Sequence, residues 1–123
     1  MIIAIDFDGT IAEMKWPGIG EAVPGALDTI RELYTAGHTL ILWTCREGKH
    51  LMAARLWLNA NKIGDCFTAF NENDPEAVSR HNSDPRKIGF NYVVDDKAVG
   101  TPLVDKTVDW SAVRAFFVKE GVL

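Results

Sequence analysis

Met1-Ile2-Ile3-Ala4-Ile5-Asp6-Phe7-Asp8-Gly9-Thr10 opens the chain, and its reading decides the fold. Five apolar residues, three of them β-branched isoleucines, run without a polar break and stop at Asp6. Unbroken apolarity over so short a run predicts a strand buried on both faces, as in a parallel sheet. The run ends on two aspartates and a glycine, residue types that belong to a turn.

Outward from that strand the pattern alternates. Residues 8–23 contain three glycines and Pro17 and predict a loop. Pro24 suits the first turn of a helix, in which Leu27, Ile30, Leu33 and Tyr34 recur at helical spacing up to a C-cap at Gly37. Thr39–Trp43 predicts a second strand, ending at Thr44. Leu51, Met52, Ala54, Trp57 and Leu58 mark a second helix that closes near Asn61–Gly64. Cys66–Phe70 is a third strand candidate. Residues 71–89 are polar, carry Pro75 and Pro85, and predict a loop with room for one helical turn. Asn91–Val94 is a fourth strand that stops at Asp95-Asp96, and Leu103-Val104 a short fifth. Asp109 is a good N-cap for a last helix with Trp110, Val113, Phe116 and Phe117 on its apolar side. Strands alternating with helices predict an α/β fold: one domain over residues 1–123, a three-layer, Rossmann-like open parallel sheet with helices on both faces.

Bulk properties agree. A chain of 123 residues with 47% apolar and 24% charged residues is an ordinary size and composition for one globular domain. Lys and Arg number 13 against 17 Asp and Glu, a net charge of −4, so no basic field favours nucleic-acid backbones. Cys45 and Cys66 form no Cys-x-x-Cys pair and no histidine cluster surrounds them, which argues against zinc. With no apolar run long enough to span a bilayer and no leader-like N-terminus, the expected location is the cytoplasm, with no membrane partner.

Three of the predicted strands end on polar residues: Asp6, Thr44, and Asp95-Asp96. In open parallel sheets the carboxyl ends of the strands border the ligand crevice. Carboxylates gathered there repel one another, and a hard cation relieves this; oxygen donors suit Mg²⁺, with Asp6, Asp8, Asp95 and Asp96 as candidate ligands. Asp6 and Asp8 are two apart, so one can attack phosphorus while the other handles protons. Gly9 allows a tight turn and lets backbone amides approach a phosphate, and Thr10 can hold Asp8. Thr44 offers a hydroxyl, and Lys87 a positive charge, to phosphoryl oxygens.

These residues, in this order, resemble the motifs of the haloacid-dehalogenase-like (HAD) hydrolase superfamily. Asp6-x-Asp8-x-Thr10 resembles its first motif, Leu40–Thr44 its second, Lys87 (or Arg86) its third and Tyr92–Asp96 its fourth. The resemblance covers residue 2 to about residue 100. It implies a Mg²⁺-dependent phosphatase acting through an aspartyl-phosphate on Asp6, with Asp8 as acid and base. The ion would be held by Asp6, the Asp8 backbone carbonyl, and Asp96 or Asp95. Thr44-Cys45-Arg46 is similar to the Thr-x-Arg of small HAD phosphatases, which makes Arg46 a candidate substrate contact beside Gly9 and Thr10. Insertion sites at residues 11–23 and 64–86 are too short for a folded cap, so the resemblance implies a capless member. Capless members take large substrates or borrow a neighbouring subunit, so a homo-oligomer and phosphorylated nucleic-acid ends both stay open. Two alternatives use the same residues: a non-catalytic, phosphate-binding member of the fold, and a receiver-like signalling domain. The second fits poorly, because receivers carry the acidic pair after the first strand, whereas here it falls late.

Overall fold

The computed structural model describes residues 1–123. The chain runs β1 (Ile2–Ile5), a hairpin of β2 (Ala12–Lys15) and β3 (Gly18–Ala22), α1 (Ala26–Thr35), β4 (Thr39–Leu42), α2 (Gly48–Ala60), a 3₁₀ turn at Gly64–Cys66, β5 (Phe67–Phe70), α3 (Pro75–His81), β6 (Tyr92–Val94), a second hairpin of β7 (Leu103–Val104) and β8 (Thr107–Val108), and α4 (Trp110–Lys119). Four strands form a parallel sheet in the order β5-β4-β1-β6. The opening run is therefore a central strand, with Ile3, Ala4 and Ile5 at 0% exposure. Flanking strands on both sides and cover on both faces leave no position for a polar side chain.

The faces are covered unequally. Alternation along the strands sends Ile3, Ile5, Leu40 and Leu42 to one face, where they meet Ile30 and Leu33 of α1, Ala54 and Leu58 of α2, and Val113 and Phe117 of α4. Ala4, Ile41 and Ala69 point the other way into a small cluster with Ile88, flanked by Trp43 and Phe90. The expectation of helices on both faces meets a one-sided core: α1, α2 and α4 all share the larger cluster, no helical residue joins the smaller one, and α3 buries no side chain.

Three local expectations are corrected. Residues 11–23 are a hairpin rather than a loop, with Met14 paired to Ile19 and Lys15 to Gly18. Within 71–89 a helix of seven residues forms, capped by Asp74, whose carboxylate accepts from Ala77 N at 3.1 Å, with Pro75 in the first turn. Leu103-Val104 does not extend the sheet. It pairs with β8 across Asp105-Lys106, both at positive φ, as a tight two-residue hairpin turn requires. The Asp109 cap holds as predicted, accepting from Ala112 N at 3.1 Å.

Candidate active site

A parallel sheet places all its carboxyl ends on one edge. The ladder runs one residue beyond the strands: Asp6 N–H donates to Val94 O at 2.9 Å, Trp43 N–H to Ile5 O at 2.9 Å, and Asn71 N–H to Leu42 O at 2.8 Å. Asp6 therefore stands in the middle of the edge, with Asp95 following one neighbouring strand and Thr44 the other.

Asp6 is held from below. Thr10 is fully buried; its hydroxyl donates to Asp6 Oδ2 at 2.9 Å and accepts from Asp96 N–H at 3.1 Å. One side chain thus links the first acidic segment to the last. It holds Asp6 rather than Asp8, and has no route to substrate. The buried Trp110 donates its indole N–H to Thr10 O at 2.7 Å, so α4 braces the same loop. Gly9 has φ +81, and a Cβ there would collide with Asp96 Oδ2 and lie 2.8 Å from Asp96 Cγ. Its N–H donates to Ala12 O at 2.7 Å and is not free for a phosphate. Gly9 therefore serves close approach to Asp96 rather than substrate binding. Burial, and next the charge of Asp95, push the Asp6 carboxyl from 3.8 up to about 7. Burial also raises Asp96.

Asp8 turns away from this group. Arg46, 1% exposed, grips its carboxylate in a two-pronged fork, Nε to Oδ2 at 2.7 Å and Nη2 to Oδ1 at 2.8 Å. The same guanidinium donates to Gly18 O at 2.7 Å and Pro17 O at 3.3 Å at the hairpin tip, and lies over the rings of Phe7 and Trp16. Arg46 is turned inward with most of its N–H groups committed, which corrects its reading as a substrate contact. Its loop is set by Asn71, which the sequence reading passed over. Asn71 Oδ1 accepts from Thr44 N–H at 2.8 Å and its Nδ2 donates to Arg46 O at 2.9 Å. Thr44 Oγ1 accepts from Arg46 N–H at 3.1 Å, which leaves the hydroxyl hydrogen free to donate outward. The signal for Asn71 was its type: asparagine after a strand tolerates the left-handed conformation, here φ 57, and pairs with backbone.

Asp6, Asp8, Thr44, Arg46, Asp95 and Asp96 all border one open cleft of about 380 Å³, with Met14 and Trp16 of the hairpin side, Cys45 and Lys97. A groove of about 710 Å³ between the two hairpins shares Met14 and Asp96 with it. Lys87 is not brought to the cleft. It and Arg86 are exposed, and Lys87 makes no hydrogen bond or ion pair; the lysine at the cleft is Lys97. A third groove, about 420 Å³ between β6 and α4, is lined without any charged residue.

Carboxylate oxygens of Asp6, Asp95 and Asp96 lie within 4.8 Å of one another. Three hard anionic donors at that range, one with a strongly raised pKa, fit a cation of the Mg²⁺ kind. The Asp8 side chain, held by Arg46, adds no oxygen to that set, which leaves its backbone carbonyl as the donor that the resemblance implies.

No protein-family model matches the chain, and no curated protein matches it. The solved structure of a conserved protein from Bacteroides thetaiotaomicron is similar to it at 38% identity and a TM-score of 0.81, over 98% of this chain and 91% of the other. No helix is long and apolar enough to cross a membrane.

Proposed function

The chain belongs to one family with that conserved Bacteroides protein, and we propose that it is a Mg²⁺-dependent phosphomonoesterase of the HAD-like, capless type with Asp6 as nucleophile. The observation that carries this reading is the position of Asp6. It stands at the centre of the sheet edge, with Asp95 and Asp96 within 4.8 Å and with Asp8 and Thr44 in the same cleft. Caplessness is supported by what occupies the insertion sites, one hairpin and one short helix.

Asp6, Asp95 or Asp96, and the Asp8 backbone carbonyl would hold Mg²⁺, whose charge keeps the carboxylates ionised and offsets that of the phosphoryl oxygens. An oxygen of Asp6 attacks phosphorus as the bond to the leaving-group oxygen breaks, and Asp8 gives that oxygen a proton. Water then attacks the phosphoryl-Asp6, Asp8 takes the proton back, and phosphate leaves with the Asp6 carboxylate restored. The Thr44 hydroxyl donates to a phosphoryl oxygen. Lys97, which borders the cleft, would supply the positive charge that the resemblance assigns to Lys87 or Arg86.

The test is turnover of para-nitrophenyl phosphate with Mg²⁺. We expect Asp6→Asn to abolish it with the fold intact by circular dichroism, and EDTA to remove it reversibly. Retained turnover in Asp6→Asn sinks the nucleophile assignment.

A further inference from the structure

Arg46 is among the largest fully buried side chains of the protein, and its charge is matched by Asp8 alone. A buried guanidinium is tolerated when its nitrogens are hydrogen-bonded, and here four of its five N–H groups have partners. Two run to Asp8, and two to carbonyls at the turn between β2 and β3. The side chain is therefore a joint between three parts of the chain: the segment after β1, the turn after β4, and the hairpin. Trp16 closes it from above, with the guanidinium 5.0 Å from its ring centroid and the His50 ring 4.7 Å away.

We propose that Arg46 is a positioning residue that fixes the Asp8 carboxylate and the β2–β3 hairpin tip as one unit at the mouth of the cleft. Arginine suits this task and lysine does not. The planar fork sets both oxygens of Asp8 in one orientation, and two further N–H groups reach the carbonyls of Pro17 and Gly18. An ammonium group can satisfy one of these partners at a time with comparable geometry. The Asp8 carboxylate, so held, still borders the cleft. The hairpin is thereby tied to Asp8, so whatever displaces one displaces the other.

The kinetic half of the test rests on the phosphatase reading; the exchange half does not. Arg46→Ala, Arg46→Lys and Asp8→Asn are compared with wild type, alone and as the Arg46→Ala/Asp8→Asn double variant. In Arg46→Ala, kcat for para-nitrophenyl phosphate should fall about 10²-fold, as for a misplaced catalytic group, with KM changed less than about threefold. In the Asp8→Asn background the same change should add less than about threefold, because the effect acts through Asp8. Backbone amides of the hairpin should exchange at least about tenfold faster than in wild type, with the central sheet unchanged. Arg46→Lys should fall between the two in both readouts, and it carries the test if Arg46→Ala does not fold. Hairpin exchange unchanged in the Arg46 variants overturns the proposal. So does a raised KM with kcat intact, the mark of a substrate contact. A wild type without any turnover removes the phosphatase reading and leaves the exchange measurement to decide the joint.

Discussion

Gly9 shows how tightly single residues are constrained at the acidic edge. Its φ of +81 and the nearness of the Asp96 carboxylate each exclude a side chain. We expect Gly9→Ala to cost about 1–2 kcal/mol of stability from the left-handed backbone, and to weaken Mg²⁺ binding by pushing Asp96 out of the oxygen cluster. Urea unfolding and calorimetric Mg²⁺ titration measure the two effects, and an unchanged Mg²⁺ affinity would contradict the close-approach role. Residue types at this scale were legible while their partners were not. Thr10 was expected on Asp8 and instead bridges Asp6 and Asp96. Arg46 was expected on substrate and is spent on Asp8 and the hairpin. Both partnerships join residues or segments whose approach the fold decides, and spacing along the chain carries no information on it.

Secondary-structure elements were visible wherever they bury a regular apolar face. β1, β4 and α1 each do so, and each was predicted close to its observed place. The first hairpin leaves no such trace, because β2 buries only Ala12 and β3 carries two glycines, so neither strand shows a period of two. α3 is faint in the sequence for the same reason: it has an Asp-Pro start signal, but a helix that buries nothing has no apolar stripe. α4 contributes to the site through one bond, the indole of Trp110 on Thr10 O. Trp110→Phe keeps most of the ring and leaves that buried carbonyl unpaired. We expect a loss of about 1–2 kcal/mol in chemical denaturation, with part of it regained on adding Mg²⁺ if the loop and the ion site are coupled. A variant as stable as wild type would show that α4 does not brace the loop.

At the scale of the whole molecule, the acidic edge is a place where folding works against charge. The Asp6 carboxyl is raised from 3.8 to about 7, so the folded state holds this proton more tightly than the unfolded one. The contribution of Asp6 to stability is therefore fully present below about pH 4 and is lost as pH rises through about 7. A bound cation reverses the balance, because it binds the ionised form. In EDTA we expect the acidic edge to favour the fold more at about pH 5.5 than at about pH 8. Saturating Mg²⁺ should raise Tm by several degrees at about pH 8, and the increment should shrink below about pH 7 as protons compete for Asp6. Thermal melts across that range, with and without Mg²⁺, check this, and Asp6→Asn should flatten the difference. A Mg²⁺ increment independent of pH would remove Asp6 from the ion site.

By itself the sequence determined the parallel α/β sheet and the acidic strand ends, because buried strands require unbroken apolar runs and any polar residue at their ends stands out. It also determined the order of the acidic and hydroxyl residues that the proposed chemistry would use. Only the tertiary structure decided how those ends are wired: Thr10 between Asp6 and Asp96, Asn71 under Thr44, and Arg46 between Asp8 and the hairpin. It likewise brought Lys97 rather than Lys87 to the cleft. Apolar burial leaves a periodic trace along the chain. A hydrogen bond between distant polar groups leaves none, since it depends on a distance that exists only after the sheet has formed.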